Sequence, residues 1–173
     1  AKRISAAGGK PVMHRSGHSF MKQKMQETNA PVGGEYAAHV FLKDRWFGFD
    51  DGIYTAARIV EILSEEANSA SEVFKNFIDT VSTPEIKLAV AEERKFELVD
   101  CLLQLADFPD AKMITLDGLR VEFSEGWGLV RASNTSPALL LRFEATNEEH
   151  LEAIKAAFKS LIHQADNSIE LDF

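Results

Sequence analysis

The feature that most limits the fold is a series of short apolar segments joined by tight turns in the second half of the chain. MITL and LRVEF are joined by Asp117-Gly118, a dipeptide typical of a two-residue β-hairpin. A turn over residues 124–126 leads to WGLVRA, and the loop RASNTSP leads to ALLLRFEA. Upstream, IKLAV alternates apolar and polar residues, as a half-buried strand does. The pattern predicts an antiparallel sheet.

Two helical patterns accompany these strands. AEERKFELVDCLLQLA places Phe96, Val99 and Leu103 on one helical face. After the last strand, TNEE is interpreted as a capping box before a helix with a continuous apolar stripe. The resulting order, β-α-β-β-β-β-α, predicts an α+β layer with an antiparallel sheet and its helices on one face.

The first half of the chain has a different pattern. SGHSFMKQKMQET predicts a helix, Pro31–Gly34 a break, and HVFL a strand. Asp50 or Asp51 is expected to cap the next helix, and SASE is a capping box for a short one. Residues 1–12 are interpreted as a loop. Because this half has one strand pattern, we expect that strand to need partners from outside the chain. STPE, at residues 82–85, marks the boundary.

Composition excludes several classes of protein. With 173 residues and 45% hydrophobic residues, the chain can form one ordinary domain or two small ones. A formal charge of −8 argues against a nucleic-acid partner. Cys101 is the only cysteine, so an intrachain disulfide is excluded, and it is interpreted as a core thiol. No apolar run approaches the ~20 residues that span a bilayer, so we expect no membrane partner and a cytoplasmic location.

The loop RASNTSP is a candidate anion site. The Arg131 guanidinium can meet two phosphate oxygens, and Ser133, Asn134 and Thr135 add hydroxyl and amide groups. The alternative is a polar hairpin loop in which these side chains only stabilise the turn.

Glu35 and His39 form a second candidate site, because residues four apart would share a face on a helix. Such a pair could bind sugar hydroxyls. The alternative is a metal-dependent enzyme in which this pair binds a metal ion together with His14 and His18. However, no adjacent Asp or Cys completes the ligand set, so we predict no metal ligands in this chain.

Three stretches in this order resemble the C-terminal part of the α-D-phosphohexomutases, and in particular the bacterial members that accept mannose and glucose phosphates. These stretches are SGHSFMKQKM, GEYAAHVFLKDRWFGFDDGIYTAARIVEIL and GWGLVRASNTSPALLLRFEA. The resemblance implies the second part of the third, α/β domain over residues 1–80. It implies the complete fourth, α+β domain over residues 83–173, with a hinge at about 81–84.

The resemblance also implies an activity for the parent protein, which interconverts hexose 1-phosphates and hexose 6-phosphates. A phosphoserine transfers the phosphate through a hexose 1,6-bisphosphate intermediate, and Mg²⁺ lies at the phosphoserine. No DGDGD-like or TASHNP-like stretch occurs in this sequence. The chain lacks an initiator methionine, so we expect a piece of a longer enzyme that is inactive without its missing N-terminal domains. The alternative is a stand-alone phosphosugar-binding module.

By this resemblance, no catalytic residue lies in the chain, and its sites bind substrate. Glu35, His39 and His18 contact the sugar, while Arg131, Ser133, Asn134 and Thr135 bind the phosphate that is not transferred. The sugar motif departs from the GEMSGH of relatives, because residues 36–38 read Tyr, Ala and Ala. The phosphate loop reads RASNTS where relatives read RASNTT, which keeps a hydroxyl.

Overall fold

A computed structural model describes residues 1–75, 77 and 80–173. The chain divides into two compact units, Ala1–Phe77 and Ile78–Phe173. They are called unit 1 and unit 2 below, and each is described by itself. Among the residues described, no helix is long and apolar enough to cross a membrane.

Unit 1 combines helices with a two-stranded antiparallel hairpin. Its elements are α1 (Lys2–Ala6), α2 (His18–Thr28), β1 (Val32–Gly34), β2 (Val40–Leu42), α3 (Gly52–Glu65) and α4 (Ala70–Phe74). The loop expected over residues 1–12 is wrong for the part that forms α1. The strand in HVFL also finds its partner inside the chain, in β1, where the glycines were interpreted as a break.

Gly33 explains why this hairpin forms against α2. A Cβ atom at Gly33 would lie 2.7 Å from the sulfur of Met25 and 3.0 Å from that of Met21. Met25 is buried. The glycine therefore lets the two methionines of α2 pack directly on the β1 backbone, which a larger residue would prevent.

The caps predicted for α3 and α4 are confirmed, with Asp51 as the cap of α3. Its side chain accepts a hydrogen bond from the Tyr54 backbone N–H at 2.9 Å. Ser69 and Glu72 form the reciprocal capping box of α4. Although α3 has a clear apolar pattern, none of its residues is buried, and Ile53 is 87% exposed.

Unit 2 is an antiparallel sheet with two helices. Its elements are β3 (Val81–Ser82), β4 (Ile86–Ala89), α5 (Lys95–Leu105), β5 (Lys112–Ile114), β6 (Leu119–Glu122), β7 (Gly126–Ala132), β8 (Ala138–Ala145) and α6 (Glu148–Ala165). In the described part of the chain the strand order is β3-β8-β7-β6-β5, and β4 also pairs with β8. The α+β class with an antiparallel sheet is confirmed. β3, which was not predicted, lies where the sequence indicates a hinge.

The core of unit 2 lies between the sheet and its two helices. α5 and α6 pack against each other and both contact β7, so they cover the same face. Phe143 of β8 and Phe158 of α6 are fully buried, with ring centroids 5.3 Å apart. A Cβ atom at Gly128 would lie 2.4 Å from the Phe158 ring, so this glycine makes room for the aromatic side chain.

Three details of the helices differ from expectation. Phe96 is 56% exposed, because α5 buries Leu98, Val99 and Leu102 instead. Cys101 is only half-buried and therefore is not a core thiol. α6 is capped by the Asn147 side chain, which accepts from the His150 N–H at 2.9 Å, rather than by a capping box that starts one residue earlier.

Candidate functional site

In unit 1, the hairpin turn between β1 and β2 brings Glu35 and His39 together. The Glu35 N–H donates to the His39 carbonyl at 2.9 Å, and the Ala38 N–H donates to the Glu35 carbonyl at 3.1 Å. The turn requires a left-handed backbone at Ala38, with φ of 64°. The two side chains thus meet across a turn, and not through the helical spacing considered from the sequence.

Asp50 contacts the His39 ring at its Nδ1 atom. Its Oδ2 atom lies 2.7 Å from His39 Nδ1, and its Oδ1 atom accepts from the Val40 N–H at 3.1 Å. The hydrogen bond with His39 is the main reason that the pKa of Asp50 lies below its ordinary value. Asp50 was not among the site residues expected from the sequence. The available signal was the Asp50-Asp51 pair, since only one of two adjacent residues can cap α3.

His18 completes the group from the start of α2. Its ring lies edge-on to His39, with centroids 4.6 Å apart, and packs against the buried Phe41 ring at 5.3 Å. The Gly17 N–H donates to Glu35 Oε1 at 2.7 Å, which ties the turn to the same helix end. One donor atom each from His18, Glu35 and His39 lies within 4.8 Å of the others. The structure therefore brings these three predicted residues together, and we call them the His-Glu-His cluster.

The His-Glu-His cluster is accessible and chemically versatile. The side chains of His18 and His39 are 48% and 41% exposed. A carboxylate accepts hydrogen bonds, and a neutral imidazole offers one donor and one acceptor. The cluster can thus bind a ring of hydroxyl groups, and the same atoms are also metal ligands. The third histidine considered, His14, is not part of it.

In unit 2, the loop RASNTSP closes the hairpin between β7 and β8. The hydroxyl oxygen of Ser133, which is buried, accepts from the N–H groups of Thr135 and Ser136 at 3.3 and 3.1 Å. It also accepts from the Ser136 hydroxyl at 2.8 Å. Ser133 therefore holds the loop from inside, while Asn134 and Thr135 are exposed at its tip.

Arg131 lies at the base of this loop. Its buried Nη1 atom makes no hydrogen bond within the part of the chain that the structure describes. The nearest ion pair is with Asp117 Oδ2, at 3.6 Å. Gly118 has φ of +78°, and a Cβ atom there would lie 2.7 Å from Arg131 Cα. The Asp117-Gly118 turn therefore packs directly against the Arg131 backbone, although the sequence indicated only a hairpin turn.

Lys95, the first residue of α5, also contacts this loop, and the sequence did not indicate that contact. Its side chain is 2% exposed, and Nζ donates to the Ser136 carbonyl at 3.3 Å and contacts Glu92 at 2.7 Å. A lysine in the first turn of a helix is usually exposed to solvent. Its contact with a loop 41 positions away arises only from the packing of α5 beside the β7–β8 hairpin.

Comparison with known proteins gives two adjacent matches. Residues 1–81 match the family described as phosphoglucomutase/phosphomannomutase, alpha/beta/alpha domain III. Residues 85–161 match the phosphoglucomutase/phosphomannomutase C-terminal domain. A phosphoglucomutase/phosphomannomutase family protein of Burkholderia thailandensis, solved by crystallography, aligns with a TM-score of 0.91 and 44% identity over 100% of this chain and 36% of its own.

Curated relatives agree. A phosphomannomutase/phosphoglucomutase of Pseudomonas aeruginosa is 51% identical over 98% of this chain. A phosphoglucomutase of Neisseria meningitidis is 48% identical over 96% of it, and a phosphomannomutase of Methanocaldococcus jannaschii is 30% identical over 96%. This chain spans 37% of the length of the first relative and 36% of the other two. The chain belongs to the phosphoglucomutase/phosphomannomutase family.

Proposed function

We propose that this chain supplies substrate-binding groups to an enzyme that interconverts hexose 1-phosphates and hexose 6-phosphates, with mannose and glucose as the sugars. The observation that carries the proposal is the convergence of His18, Glu35 and His39, three side chains from two elements, on one accessible place. Family membership gives the reaction class, and the two groups of residues give the chemistry that this chain contributes.

In this proposal the His-Glu-His cluster binds sugar hydroxyls. Glu35 accepts hydrogen bonds from them, and Gly17 restrains one of its carboxylate oxygens. His39 turns Nδ1 to Asp50, which leaves Nε2 for a hydroxyl and restricts rotation of the ring. His18 adds a second imidazole. Such restrained groups bind with a smaller loss of side-chain entropy.

The β7–β8 loop would bind the phosphate group that is not transferred. The Arg131 guanidinium supplies charge and paired donors, and the exposed Asn134 and Thr135 supply further polar groups at the tip. Ser133 has a different role, because its hydroxyl already takes part in three hydrogen bonds inside the loop. We infer that Ser133 supports phosphate binding by holding the loop in shape.

A fixed phosphate clamp suits a mutase for a physical reason. The same sugar must bind in two orientations, so that either end can present its phosphate for transfer. Hydroxyl contacts common to both orientations permit this exchange. Glucose and mannose differ only at C2, so contacts elsewhere on the ring accept both sugars.

The Mg²⁺ implied for the parent enzyme does not match the metal-ligand cluster found among the described residues, whereas the implied hexose 1,6-bisphosphate would use the same sugar and phosphate groups as the substrate. Mg²⁺ prefers six oxygen ligands, whereas the His-Glu-His cluster offers two imidazoles and one carboxylate. These residues do not fit that ion. We therefore assign phosphoryl transfer to segments outside this sequence, and substrate binding to this chain and its missing N-terminal domains.

Unit 2 favours a second candidate, a phosphosugar-binding module without catalysis. Its sheet and both helices form a continuous core that includes Leu102, Leu139 and Phe158, and the phosphate loop closes one of its own hairpins. A unit with a complete core can bind phosphate without further domains. The two candidates differ in the affinity that they predict for this chain alone. A module without catalysis would bind the phosphosugar at its full affinity with no further domain present.

Substitution of Arg131 tests the proposed phosphate loop. We expect Arg131→Ala to weaken the binding of mannose 1-phosphate by about 1.5–3 kcal/mol, the scale of a charged hydrogen bond. That corresponds to a roughly 10- to 150-fold loss of affinity. The measurement is an NMR titration of the 173-residue chain with mannose 1-phosphate, with mannose and inorganic phosphate as comparison ligands.

Arg45→Ala is the matched control, because it removes one guanidinium from an exposed ion pair with Glu61 in unit 1. The proposal would be supported by chemical-shift changes centred on residues 131–135 that are lost in Arg131→Ala but kept in Arg45→Ala. Equal affinity in both variants would refute the phosphate assignment. Micromolar binding by the chain itself would favour the module without catalysis.

A further inference from the structure

The donor atoms of the His-Glu-His cluster are a zinc ligand set. His18, Glu35 and His39 each offer one ligand atom within 4.8 Å of the others. Two imidazoles and a carboxylate, with a fourth position left open, are the protein ligands of many zinc sites. We propose that this cluster binds one Zn²⁺ ion, and that the ion and a hexose compete for the same three side chains.

Asp50 supplies the outer support that such a site needs. Metal-bound histidines usually donate their second ring N–H to a carboxylate, which orients the ring and raises its basicity. Asp50 Oδ2 lies 2.7 Å from His39 Nδ1, so His39 can offer Nε2 to an ion. From the sequence, no Asp stood next to Glu35 and His39 to complete a metal site. In the fold, Asp50 lies beside His39 from eleven positions along the chain and supports this ring without being one of the three proposed ligands.

The other two ligands are also held by groups outside the cluster. The Gly17 N–H donates to Glu35 Oε1 at 2.7 Å, which leaves Oε2 for an ion. The His18 ring packs edge-on to Phe41, which is fully buried. Ligands with restrained orientations lose less entropy on metal binding, as preorganised sites do generally.

The spacing of the donor atoms is within reach of a tetrahedral ion. Zinc bonds to nitrogen and oxygen of about 2.0–2.1 Å place neighbouring ligand atoms roughly 3.4 Å apart. Since the donor atoms lie at most 4.8 Å apart, each separation would contract by about 1.4 Å or less. His18 and His39 are 48% and 41% exposed, so the ion has a route from solvent.

The ligand types select among cations. Imidazole favours Zn²⁺ and its transition-metal neighbours, whereas Mg²⁺ and Ca²⁺ prefer oxygen ligands. An ion on these atoms would occupy the hydrogen-bonding groups assigned above to sugar hydroxyls. Competition with hexose therefore rests on the proposed function, whereas the metal site itself does not.

The test is a calorimetric titration of the full 173-residue chain with Zn²⁺, together with the visible spectrum of its Co²⁺ complex. We expect one ion per chain and the strong absorption of four-coordinate Co²⁺. Each of His18→Gln, Glu35→Gln and His39→Gln should weaken Zn²⁺ binding at least tenfold. Asp50→Asn should weaken it by about 10- to 100-fold, the usual effect of losing an outer carboxylate.

His14→Gln is the matched control, because His14 lies four positions before His18 but outside the cluster. The Zn²⁺ affinity of this variant should equal that of the parent chain. Equal losses in His14→Gln and His39→Gln, or no stoichiometric binding, would overturn the site and indicate ordinary surface histidines. The amide spectrum of each variant is recorded, and a variant counts only if its unit 1 signals keep the dispersion of the parent chain. The conservative Glu35→Gln change provides the test if a histidine variant unfolds.

A second titration, in the presence of mannose 1-phosphate, separates this inference from the proposed function. Weaker apparent Zn²⁺ affinity with the phosphosugar supports competition at the cluster. Zn²⁺ binding that depends on the three ligands but ignores a saturating phosphosugar would leave the metal site standing and remove the cluster from sugar binding. Phosphosugar shifts at the cluster without any Zn²⁺ binding would do the reverse.

Discussion

At the scale of single residues, the backbone at Ala38 is the most informative departure from the family motif. Ala38 has φ of 64°, a left-handed conformation that costs a residue with a Cβ about 1–2 kcal/mol. The motif expected from the family resemblance, GEMSGH, has glycine at this position. The turn that positions Glu35 and His39 is therefore strained in this chain, and the strain lies inside the proposed sugar site.

Ala38→Gly should relieve this strain. Glycine adopts the left-handed region freely but loses about 0.5–1 kcal/mol more backbone entropy on folding. We expect unit 1 to gain roughly 0.5–1 kcal/mol of unfolding free energy, measured by denaturation with urea. Ala37→Gly is the control, because Ala37 is not among the described residues with positive φ. It should lose stability, and a gain in both variants would contradict the explanation.

Gly118 is the opposite case, a position where glycine is required. Gly118→Ala would combine a φ of +78° with a Cβ only 2.3 Å from the Val130 carbonyl oxygen. We expect a loss of about 3 kcal/mol or more of unit 2 stability, since the left-handed cost is joined by a backbone clash.

Gly8→Ala separates the two causes, because Gly8 has φ of +79° with no atom within 4 Å of the added Cβ. It should lose only the conformational part, about 1–2 kcal/mol. Thermal denaturation followed by circular dichroism measures both variants. Equal losses would mean that the contact between the Asp117-Gly118 turn and the Arg131 backbone does not matter.

At the scale of elements, the β7–β8 loop, which we propose binds phosphate, contacts α5 as well as the hairpin that carries it. Lys95, in the first turn of α5, is buried and donates to the Ser136 carbonyl. This contact and the Ser133 hydroxyl together fix the carbonyl and N–H groups of the loop. The helix therefore determines the shape of a site whose residues all lie elsewhere in the sequence.

Lys95→Met should loosen the loop without unfolding the unit. Methionine fills a similar volume, and apolar replacement of a buried charged group is often close to neutral for stability. A hydrogen bond from a charged group contributes about 1.5–3 kcal/mol, so we expect amide exchange at Thr135 and Ser136 to accelerate tenfold or more.

Lys155→Met is a close control for this experiment. Like Lys95, Lys155 pairs with a glutamate three positions earlier in the chain, but this pair, with Glu152, lies within α6 and involves no loop carbonyl. Exchange in the phosphate loop should not change in this variant. Unchanged exchange in Lys95→Met would show that the Ser136 contact does not restrain the loop.

At the scale of the whole molecule, the two units differ in how much apolar surface they bury. Of the buried apolar residues that the structure describes, only Met25 and Phe41 belong to unit 1. The apolar face of α3 is exposed. Since apolar burial is the main stabilising term, unit 2 should be the more stable part of this chain.

Two tryptophans report on the units separately, Trp46 in unit 1 and Trp127 in unit 2. We expect Trp46 fluorescence, measured in a Trp127→Phe variant, to change at lower urea concentration than Trp127 fluorescence in a Trp46→Phe variant. The midpoints in denaturant follow the stability of each cooperative unit. Coincident transitions would show that the chain unfolds as one unit.

The sequence by itself determined those elements that depend on local patterns. Apolar periodicity predicted the sheet strands from β4 to β8 and the main helices, and the Asp117-Gly118 turn predicted the β5–β6 hairpin. Such patterns extend over a few neighbouring residues, so they can be recognised in a single sequence. They failed for β1, because Gly33 and Gly34 look like a break until the methionines of α2 are packed on Gly33.

For the candidate site, family resemblance selected His18, Glu35 and His39, but only the tertiary structure decided how they are held. Asp50 reaches His39 across eleven positions, Gly17 reaches Glu35 across eighteen, and Lys95 reaches Ser136 across forty-one. No local pattern encodes these contacts, because they arise when separate elements pack together. The residue types in the site were therefore readable from the sequence, whereas their orientations and partners come from the fold.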